Sequence, residues 1–599
     1  MRKLVLGLIG VAALSLAAGP KAEAQQPKRG GTLNFAISAE TPQYDCHGSD
    51  TYATLHFSSP FYSTLLRYNL SKFPDVEGDL AKSWTVSPDK KTYTFTLHDG
   101  VKFHDGSPMT SEDIKATYDR LRNPPKGVVS TRSATFADIE SIETPNPTTV
   151  VFKLKAVNSS MLDHFASPWN CVYSAKDLAA DPAGPRTKIN GTGPFVFVEH
   201  VKGSHVSGKR NEAYFKKGLP YLDGFRGIFT LQAAAMLNAL QGGQVLAEFR
   251  GVSPADRDRM VGAMGNKLRV EESSWTLNLL VLFNNEKPPF NDVRVRKALL
   301  LAIDRWGGSK GLSRISTLRA VGGVVRPGSP LATPEAELVK LPGFGKDIKA
   351  ARAEARRLLK EAGHEKLKFT LWNRNLAMPY TPAGIFLVDQ WRQIGVEVEH
   401  KQSDTAPYIA AMRSGNYEVA IDFSNLFNDD PTLSLTKFLS ASKNPLNLAR
   451  YDDPEIDRLY ELQLREGDLN KRRAHIQALE KRLFEQAYQQ PILWWHRIVL
   501  SHKTVMGWKM SPSHNLGQDL ADVWLNQLLK ESWPGLKPGH EICANASLYA
   551  QAASPYDPDA DRRRGARVFH APRRARRYRG GEAARRRRQR HARGRGARA

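Results

Sequence analysis

Alternating apolar and polar side chains predict β-strands at both ends of the first hundred residues. Residues 30–37 and 91–97 carry apolar or aromatic side chains at every second position, which places those side chains on one face of a sheet. Asp99-Gly100 and Asp105-Gly106 follow the second strand. They predict tight turns, because Asp-Gly favours the backbone angles that hairpins need.

A helix is predicted after these turns, from Thr110 through Leu121. The hydroxyl groups of Thr110 and Ser111 are typical N-caps, and two acids follow them at the positive end of the helix. Pro124-Pro125 ends the helix, because proline lacks the N–H that a helix uses.

The stretch from 347 to 423 alternates between helical and strand patterns. Asp347 caps a predicted helix that ends at Gly363, and strands are predicted around 367–371, 396–398 and 417–423 with helices between them. This repeat predicts an α/β fold with a parallel sheet covered on both faces, because a parallel return needs a crossover. Such sheets bind ligands at the carboxyl ends of their strands, so the residues after 423 become candidates.

Four blocks of sequence, in a fixed order between residues 28 and 527, resemble one known family. The blocks are DLAKSW at 79–84 with LHDGVKFHDG at 97–106 and TSED at 110–113; GTGPF at 191–195; FNN at 283–285 with PPFNDVRVRKA at 288–298 and AIDR at 302–305; and YDDPEID at 451–457. They are similar to the large extracytoplasmic solute-binding proteins of family 5, which serve peptide, dipeptide and nickel ABC importers.

The resemblance implies a two-lobed periplasmic-binding-protein fold of the large cluster C type, with an extra intervening lobe. Lobe I is expected from 25–70, 190–282 and 500–530, the intervening lobe from 71–189, and lobe III from 283–499. Two chain crossings between lobes I and III are expected to form a hinge that encloses the ligand.

The segment after the third predicted strand of lobe III carries the candidate ligand contacts Asn428, Asp429 and Asp430. Asp430-Pro431 matches the family's Asp-Pro, and peptide-binding members carry an acid three residues earlier that holds the ligand's ammonium group. Phe427 occupies that position here and cannot do so, which lowers the expectation of a free peptide amine. As an alternative, Asp430 is a turn cap before a helix.

Three further places are expected to approach the ligand. Trp494 and Trp495 are adjacent on a predicted strand and point to opposite faces, so only one of them can face a cleft, and a core role is the default for the pair. The loop from Thr41, including Tyr44, resembles the family's loop at the cleft mouth, and Trp372 ends a parallel strand. The candidate ligand-binding residues are therefore Thr41, Tyr44, Trp372, Phe427, Asn428, Asp429, Asp430, Trp494 and Trp495.

Patterns of catalysis and metal binding are missing from the sequence. It contains no His-Glu-x-x-His and no complete phosphate-binding loop. His98 and His104 flank the Asp-Gly turns without a third metal ligand nearby, and Gly191-Thr192-Gly193 is interpreted as a tight turn where lobe I resumes. We therefore expect no cofactor, no metal and no enzymatic activity.

The net charge of +25 is concentrated at the C-terminus. Residues 561–599 contain 17 Arg against one Asp and one Glu and contribute +15, residues 1–24 contribute +2, and the body between them carries the remaining +8. The body's charge indicates no particular partner. Segment 531–599 lacks apolar periodicity and is expected to be disordered. One interpretation of this segment is a basic arm that binds nucleic acid or anionic lipid. The other, which we favour, is that it results from translation of GC-rich DNA in the wrong reading frame.

The first 24 residues resemble a secretory signal peptide. Arg2 and Lys3 precede an apolar stretch at 4–18, and Ala22-Glu23-Ala24 is a typical cleavage site. The apolar stretch is shorter than the roughly 20 residues that a spanning helix needs. No cysteine lies at the cleavage point to carry a lipid anchor. A soluble periplasmic protein is therefore expected.

Three cysteines are present, namely Cys46, Cys171 and Cys543. An oxidising compartment permits a Cys46–Cys171 bridge, but three cysteines form neither a disulfide framework nor a metal site. Packed, unpaired thiols are the favoured interpretation.

These features predict the substrate-binding component of an ABC importer, which captures a peptide-like or other small polar solute and delivers it to the permease. A monomer is expected, with no nucleic-acid partner and no stable membrane insertion. The alternatives are an exported hydrolase that uses cleft carboxylates, and a nucleic-acid-binding protein that acts through the Arg-rich tail.

Overall fold

The structure is a computed structural model that describes residues 26–49, 51–376, 378–425 and 428–526. The predicted signal peptide, the Arg-rich tail and Phe427 lie outside these residues. In chain order the strands are β1 (Thr32–Ile37), β2 (Leu66–Tyr68), β3 (Val76–Gly78), β4 (Ala81–Val86), β5 (Thr92–Leu97), β6 (Ile139–Asn146), β7 (Thr149–Leu154), β8 (Phe195–Val201), β9 (His205–Arg210), β10 (Gly224–Phe229), β11 (Ala247–Glu248), β12 (Leu268–Phe283), β13 (Leu318–Ala320), β14 (Lys368–Arg374), β15 (Glu397–Ser403), β16 (Val419–Asn425), β17 (Gln489–His502), β18 (Val505–Met506) and β19 (Trp524–Leu525).

The helices cover the faces and edges of the sheets that these strands form. In chain order they are α1 (Tyr52–Ser58), α2 (Ser111–Arg122), α3 (Met161–Phe165), α4 (Ala175–Ala180), α5 (Ala233–Gln241), α6 (Pro254–Met264), α7 (Val293–Leu301), α8 (Arg305–Ile315), α9 (Glu335–Leu338), α10 (Ile348–Glu361), α11 (Tyr380–Arg392), α12 (Thr405–Ser414), α13 (Thr432–Leu435), α14 (Pro454–Arg465) and α15 (Leu469–Glu485). None of the helices in the described part of the chain is both long and apolar enough to cross a bilayer.

One large sheet has the strand order β15-β14-β16-β12-β17-β11-β1-β10-β9-β8, with β13 beside β17. At one end of it, β14 is parallel to both β15 and β16, and α11 and α12 connect these strands. The parallel sheet predicted between residues 347 and 423 is therefore confirmed, and Asp347 caps α10 as predicted. At the other end, β1 is parallel to β10 and β11.

The long strands β12 and β17 join the two ends of this sheet. They pair antiparallel over 268–274 against 496–502, and again over 278–282 against 489–494. Between these two ladders the register shifts, which interrupts the pairing and bends the strands. Trp275 and Trp495 lie at this interruption. The two ends of the sheet are therefore joined by strands whose hydrogen-bonded pairing is interrupted between them.

A separate antiparallel sheet of order β4-β5-β7-β6 lies within residues 71–189. Helix α2 packs on it through Ile114, Tyr118 and Leu121, which are fully buried. Gly100 and Gly106 have φ angles of +70° and +87°. Glycine adopts such angles without a steric penalty, so both predicted Asp-Gly turns are confirmed.

The predicted turn at Gly191-Thr192-Gly193 is a bend without a turn hydrogen bond, just before β8. A Cβ atom added at Gly193 would lie 2.4 Å from the carbonyl carbon of Phe61, and one at Gly191 would lie even closer to the Phe61 oxygen. The turn interpretation was therefore wrong. Both positions require glycine because another part of the backbone passes beside them.

Cys46 and Cys171 form a disulfide, so the preference for unpaired thiols was wrong. Their Cα atoms are 6.1 Å apart although the residues are 125 positions apart in sequence. Beside the bridge, Asp45 accepts two hydrogen bonds from the buried guanidinium of Arg120, at 3.2 and 2.7 Å. Burial opposes ionisation of Asp45, but the hydrogen bonds from Arg120 and Tyr173 and the charge of Arg120 together outweigh it and hold the pKa of the carboxyl below its usual value. The loop after β1 is thus fastened to the segment 71–189 by a covalent bond and an ion pair.

Candidate functional site

Parallel strands from both ends of the large sheet finish beside the interruption in β12 and β17. Strand β16 ends at Asn425, which pairs with Leu277 of β12. From the opposite direction, β11 ends at Glu248 and the chain continues alongside β17, where the Val252 N–H bonds to the Ile498 carbonyl. The carboxyl ends of parallel strands are the usual ligand-binding edge of an α/β sheet. The interruption is therefore the candidate site.

A row of five aromatic rings passes through this site. The aromatic row consists of Tyr52, His514, Trp275, Trp495 and Tyr380, with successive ring centroids 5.6, 5.4, 5.5 and 6.4 Å apart. The Trp275 indole N–H donates to His514 Nδ1 at 3.0 Å. Burial and nearby arginines lower the pKa of His514 well below 6.5, so its ring is neutral and accepts this bond. The indole nitrogen of Trp495 is buried and has no hydrogen-bond partner.

An arginine stacks on the tyrosine at each end of the aromatic row. The guanidinium carbon of Arg250 lies 4.1 Å from the ring centroid of Tyr52, and that of Arg374 lies 4.8 Å from the ring centroid of Tyr380. Arg374 also donates to the Tyr380 hydroxyl at 3.1 Å and to Thr405 Oγ1 at 3.0 Å. The Nε atoms of both arginines are buried and have no hydrogen-bond partner among the residues that the structure describes.

Asn428 and Asp429 supply a polar side of the site. Asp429 Oδ1 forms an ion pair with Arg326 Nε at 2.5 Å, and Arg326 also donates to Ser274 Oγ at 3.0 Å. Among the described residues, Asp429 Oδ2 and both amide atoms of Asn428 are buried without a well-formed hydrogen bond, although the Asn428 side chain lies next to the Tyr68 hydroxyl. Buried polar groups are normally hydrogen-bonded, and an unmade bond costs about 1–3 kcal/mol, so these atoms are suited to a ligand or an ordered water.

Asp430 takes part in a contact between the segment 71–189 and the part of the chain predicted to form lobe III. It forms an ion pair with Arg472 at 2.7 Å, and the Ser160 hydroxyl donates to its Oδ1 at 2.8 Å. Arg472 donates to Ser160 Oγ at 3.0 Å as well. We call Ser160, Asp163, Asp430 and Arg472 the acid–arginine contact. Burial opposes ionisation of Asp430, but Arg472 holds its pKa far below the usual range.

Asp163 is the second acid of this contact and has the opposite electrostatic environment. Its carboxylate accepts a hydrogen bond from the Tyr68 hydroxyl at 2.7 Å. Burial and then repulsion from Asp430 raise the pKa of Asp163 to about 7. Arg472 pairs with Asp430 and not with the half-buried Asp163, so the contact favours the state in which Asp163 keeps its proton.

Comparison with known proteins assigns this architecture to a family. Residues 75–445 match the family described as bacterial extracellular solute-binding proteins, family 5. A putative ABC transporter peptide-binding protein from Brucella ovis is 30% identical over 482 residues, which cover 77% of this chain and 87% of the relative. The chain belongs to the bacterial extracellular solute-binding proteins of family 5.

Solved structures of other binding proteins have the same fold. The periplasmic binding protein DppA from Helicobacter pylori, in complex with the peptide STSA, matches with a TM-score of 0.69 and 21% identity over 83% of this chain and 98% of its own. The ABC transporter substrate-binding protein CtaP from Listeria monocytogenes matches with a TM-score of 0.73 and 22% identity over 83% of this chain and 100% of its own. The predicted family and its two-lobed α/β fold are confirmed. This is a family of solute-binding proteins rather than of enzymes.

Of the ligand contacts predicted for this family 5 protein, Trp495, Asn428 and Asp429 lie at the candidate site. Asp430 lies beside it in the acid–arginine contact and also accepts the Thr432 N–H at 2.9 Å, which fits the alternative of a turn cap. Phe427 lies outside the described residues. Direct contact between these residues and a solute stays a prediction.

The other predicted contacts lie in packed surroundings. Trp494 is 1% exposed and its indole N–H donates to the Gly323 carbonyl at 3.0 Å. Tyr44 stacks on Phe57 and hydrogen-bonds to His200, while Thr41 bonds to Thr54. The indole N–H of Trp372 donates to Ser403 on the neighbouring strand β15, and Lys401 covers its ring. The structure does not bring these four side chains together with Trp495.

Sequence analysis missed several residues of the site. Arg374 ends β14 two positions after Trp372, so the rule of carboxyl strand ends applied to it equally well. Trp275, Tyr380 and Arg250 carry no such signal, because the aromatic row assembles from four distant parts of the chain. Across the residues that the structure describes, no cluster of three or more His, Cys, Asp or Glu side chains is arranged to bind a metal ion.

Proposed function

We propose that this protein is the solute-binding component of an ABC importer, which closes its two lobes on a small polar solute, peptide-like or otherwise, and presents it to the permease. The observation that carries the proposal is the interruption in β12 and β17, where the ligand-binding edges of both ends of the sheet meet. We assign lobe I to 25–70, 190–282 and 500–530, and lobe III to 283–499.

The solute drives closure because it can bond to both lobes at once only in the closed form. A solute that contacts both lobes binds the closed form more tightly, and moving the population from mostly open to mostly closed needs about 10⁴-fold preference. Strands β12 and β17 cross between the proposed lobes. Because only two strands connect the lobes at this point, they can act as a hinge that bends where their pairing is interrupted. We further propose export to the periplasm, a monomeric state, no chemical conversion of the solute and no nucleic-acid partner.

Native mass spectrometry of protein purified from the periplasm without refolding tests this proposal. We expect a bound small molecule that leaves chemically unchanged. Small-angle scattering should show a smaller radius of gyration with the solute than after its removal. An identical radius in both states, or a chemically altered solute, contradicts the proposal.

The acid–arginine contact predicts that closure weakens as pH rises. With Asp163 placed against Asp430 as in this structure, the pKa of Asp163 is raised to about 7 from an ordinary value of 3.8, and we take this contact to form on closure. An acid whose pKa is raised in the closed form stabilises that form fully when the pH is below the acid's ordinary pKa. This stabilisation is lost as the pH rises to about 7. Burial lowers the pKa of the neighbouring His164 to about 4, so that ring stays neutral near pH 7. Scattering between about pH 5 and pH 8 should show a growing open fraction.

Replacing Asp163 by asparagine should remove most of this pH dependence and keep the closed fraction high in the alkaline range. Asp138→Asn is the matched control, because Asp138 bonds to the partly exposed Arg465 at the edge of the same interface. An unchanged pH profile in Asp163→Asn would show that Asp163 does not control closure.

A further inference from the structure

The aromatic row and its two arginines define a ligand surface that draws on both lobes. Arg250 follows β11 at one end of the large sheet, and Arg374 ends β14 at the other. In the strand order these two strands are four steps apart, which at about 4.8 Å per step separates their axes by about 19 Å. The two guanidinium groups therefore approach the site from opposite sides, with the aromatic row between them.

The positive charges at the ends of the row are not neutralised by the protein. Across the described ranges, neither Arg250 nor Arg374 forms an ion pair with a carboxylate. The nearby carboxylates already have partners, which are the backbone N–H groups of Arg250 and Gly251 for Glu248, Lys437 for Asp422, and Arg326 for Asp429. The site thus has two guanidinium groups whose charge is left for a ligand.

Hydrogen-bonding capacity points in the same direction. Each of the two arginines has a buried Nε–H without an acceptor, and so does the Trp495 indole in the middle of the row. A buried donor without an acceptor is costly, and a guanidinium forms its strongest bonds with the paired oxygens of a carboxylate. A free amine on the ligand would meet Arg374 or Arg250 with like charge. Acidic groups satisfy the donors of Arg250, Arg374 and Trp495, whereas Asp429 Oδ2 is left for a donor on the ligand or an ordered water.

The rings between the arginines require an apolar segment in the ligand. All four successive contacts between the five rings are edge-to-face, at interplanar angles of 63–87°, so the rings form one continuous aromatic wall. The Asn428 amide, which lies next to the Tyr68 hydroxyl, offers one further polar contact beside this wall.

We propose that the solute is an elongated organic diacid whose two carboxylates bind Arg250 of lobe I and Arg374 of lobe III while its apolar middle lies on the aromatic row. This inference rests on the proposed function and names the class of its solute. Because each carboxylate binds a different lobe, both bonds are complete only in the closed form, and a diacid drives closure more strongly than a monoacid.

Isothermal titration of the protein, stripped of co-purified solute, tests this inference with α,ω-dicarboxylates of increasing chain length. The comparison probes are the matching monocarboxylates, the diamides and the free dipeptide Ala-Ala. We expect one range of diacid lengths to bind best, the diamides to fail, and binding to weaken as salt concentration rises. Arg250→Met and Arg374→Met should each weaken diacid binding by about 10- to 100-fold.

Two controls separate loss of binding from loss of folding. Arg250→Lys and Arg374→Lys keep the charge and should bind with intermediate affinity, because lysine cannot form the paired bonds. Arg465→Met, away from the row, should leave binding unchanged. The inference is overturned if no diacid binds, if Ala-Ala or a diamide binds better, or if the methionine variants keep full affinity. The proposed function survives that result if another co-purified solute still compacts the protein in scattering.

Discussion

Replacing Arg472 by methionine is expected to lower the free energy of unfolding by about 3–5 kcal/mol. Arg472 is buried, and its ion pair with Asp430 at 2.7 Å keeps that acid ionised. Methionine preserves much of the side-chain volume but leaves Asp430 charged in a dry environment beside Asp163. Urea denaturation near neutral pH measures the loss.

A second substitution tests whether charge is the cause. Asp430→Asn in the Arg472→Met background should restore a large part of the lost stability, because no carboxylate then remains without its partner. Arg465→Met serves as the matched control. Arg465 pairs with Asp138 at the partly exposed edge of the same interface, and such pairs contribute only about 0–1 kcal/mol. Failure of Asp430→Asn to rescue stability would show that Arg472 acts through packing alone.

Alanine substitutions at the two adjacent tryptophans are expected to have separate effects. Trp494→Ala should lower the free energy of unfolding by about 3–5 kcal/mol, because it empties a fully packed site in the core. Trp495→Ala should weaken solute binding by about tenfold or more and cost far less stability, because its ring forms the middle of the aromatic row at the candidate site.

Each variant is the control for the other, since they remove the same side chain from neighbouring positions. Chemical denaturation measures stability, and titration with the solute recovered from the purified protein measures affinity. Wild-type affinity in Trp495→Ala would place the solute elsewhere. Equal losses of stability in both variants would contradict the difference in burial on which the prediction rests.

The elements with a regular pattern of apolar and polar residues could be predicted from the sequence. The parallel strands of lobe III are each a short apolar run between helices, so periodicity alone located β14, β15 and β16. A strand places successive side chains on opposite faces, which predicts different surroundings for Trp494 and Trp495; the structure buries the ring of Trp494 and leaves that of Trp495 partly exposed. Local pattern was sufficient because each feature depends on neighbouring residues.

The rest of the site depends on contacts between distant segments. Trp275 meets Trp495 across 220 positions only because β12 and β17 pair in one register, and no local pattern encodes that register. Arg250 follows a two-residue strand that is too short to leave a periodic signal. Tyr44 was placed at the cleft mouth by resemblance, but its ring stacks on Phe57 inside the packed part of lobe I.

The bridge between Cys46 and Cys171 has a mechanical consequence. It fastens the segment 71–189 to the loop after β1, and Ser160 in that segment touches Asp430 of lobe III at the far side. Under the proposed closure, a covalent link makes segment 71–189 move with the loop after β1, so the Ser160–Asp430 contact would form or break as the lobes rotate. Reduction of the bridge would leave only non-covalent contacts, such as the Asp45–Arg120 ion pair, to couple these two parts of the chain.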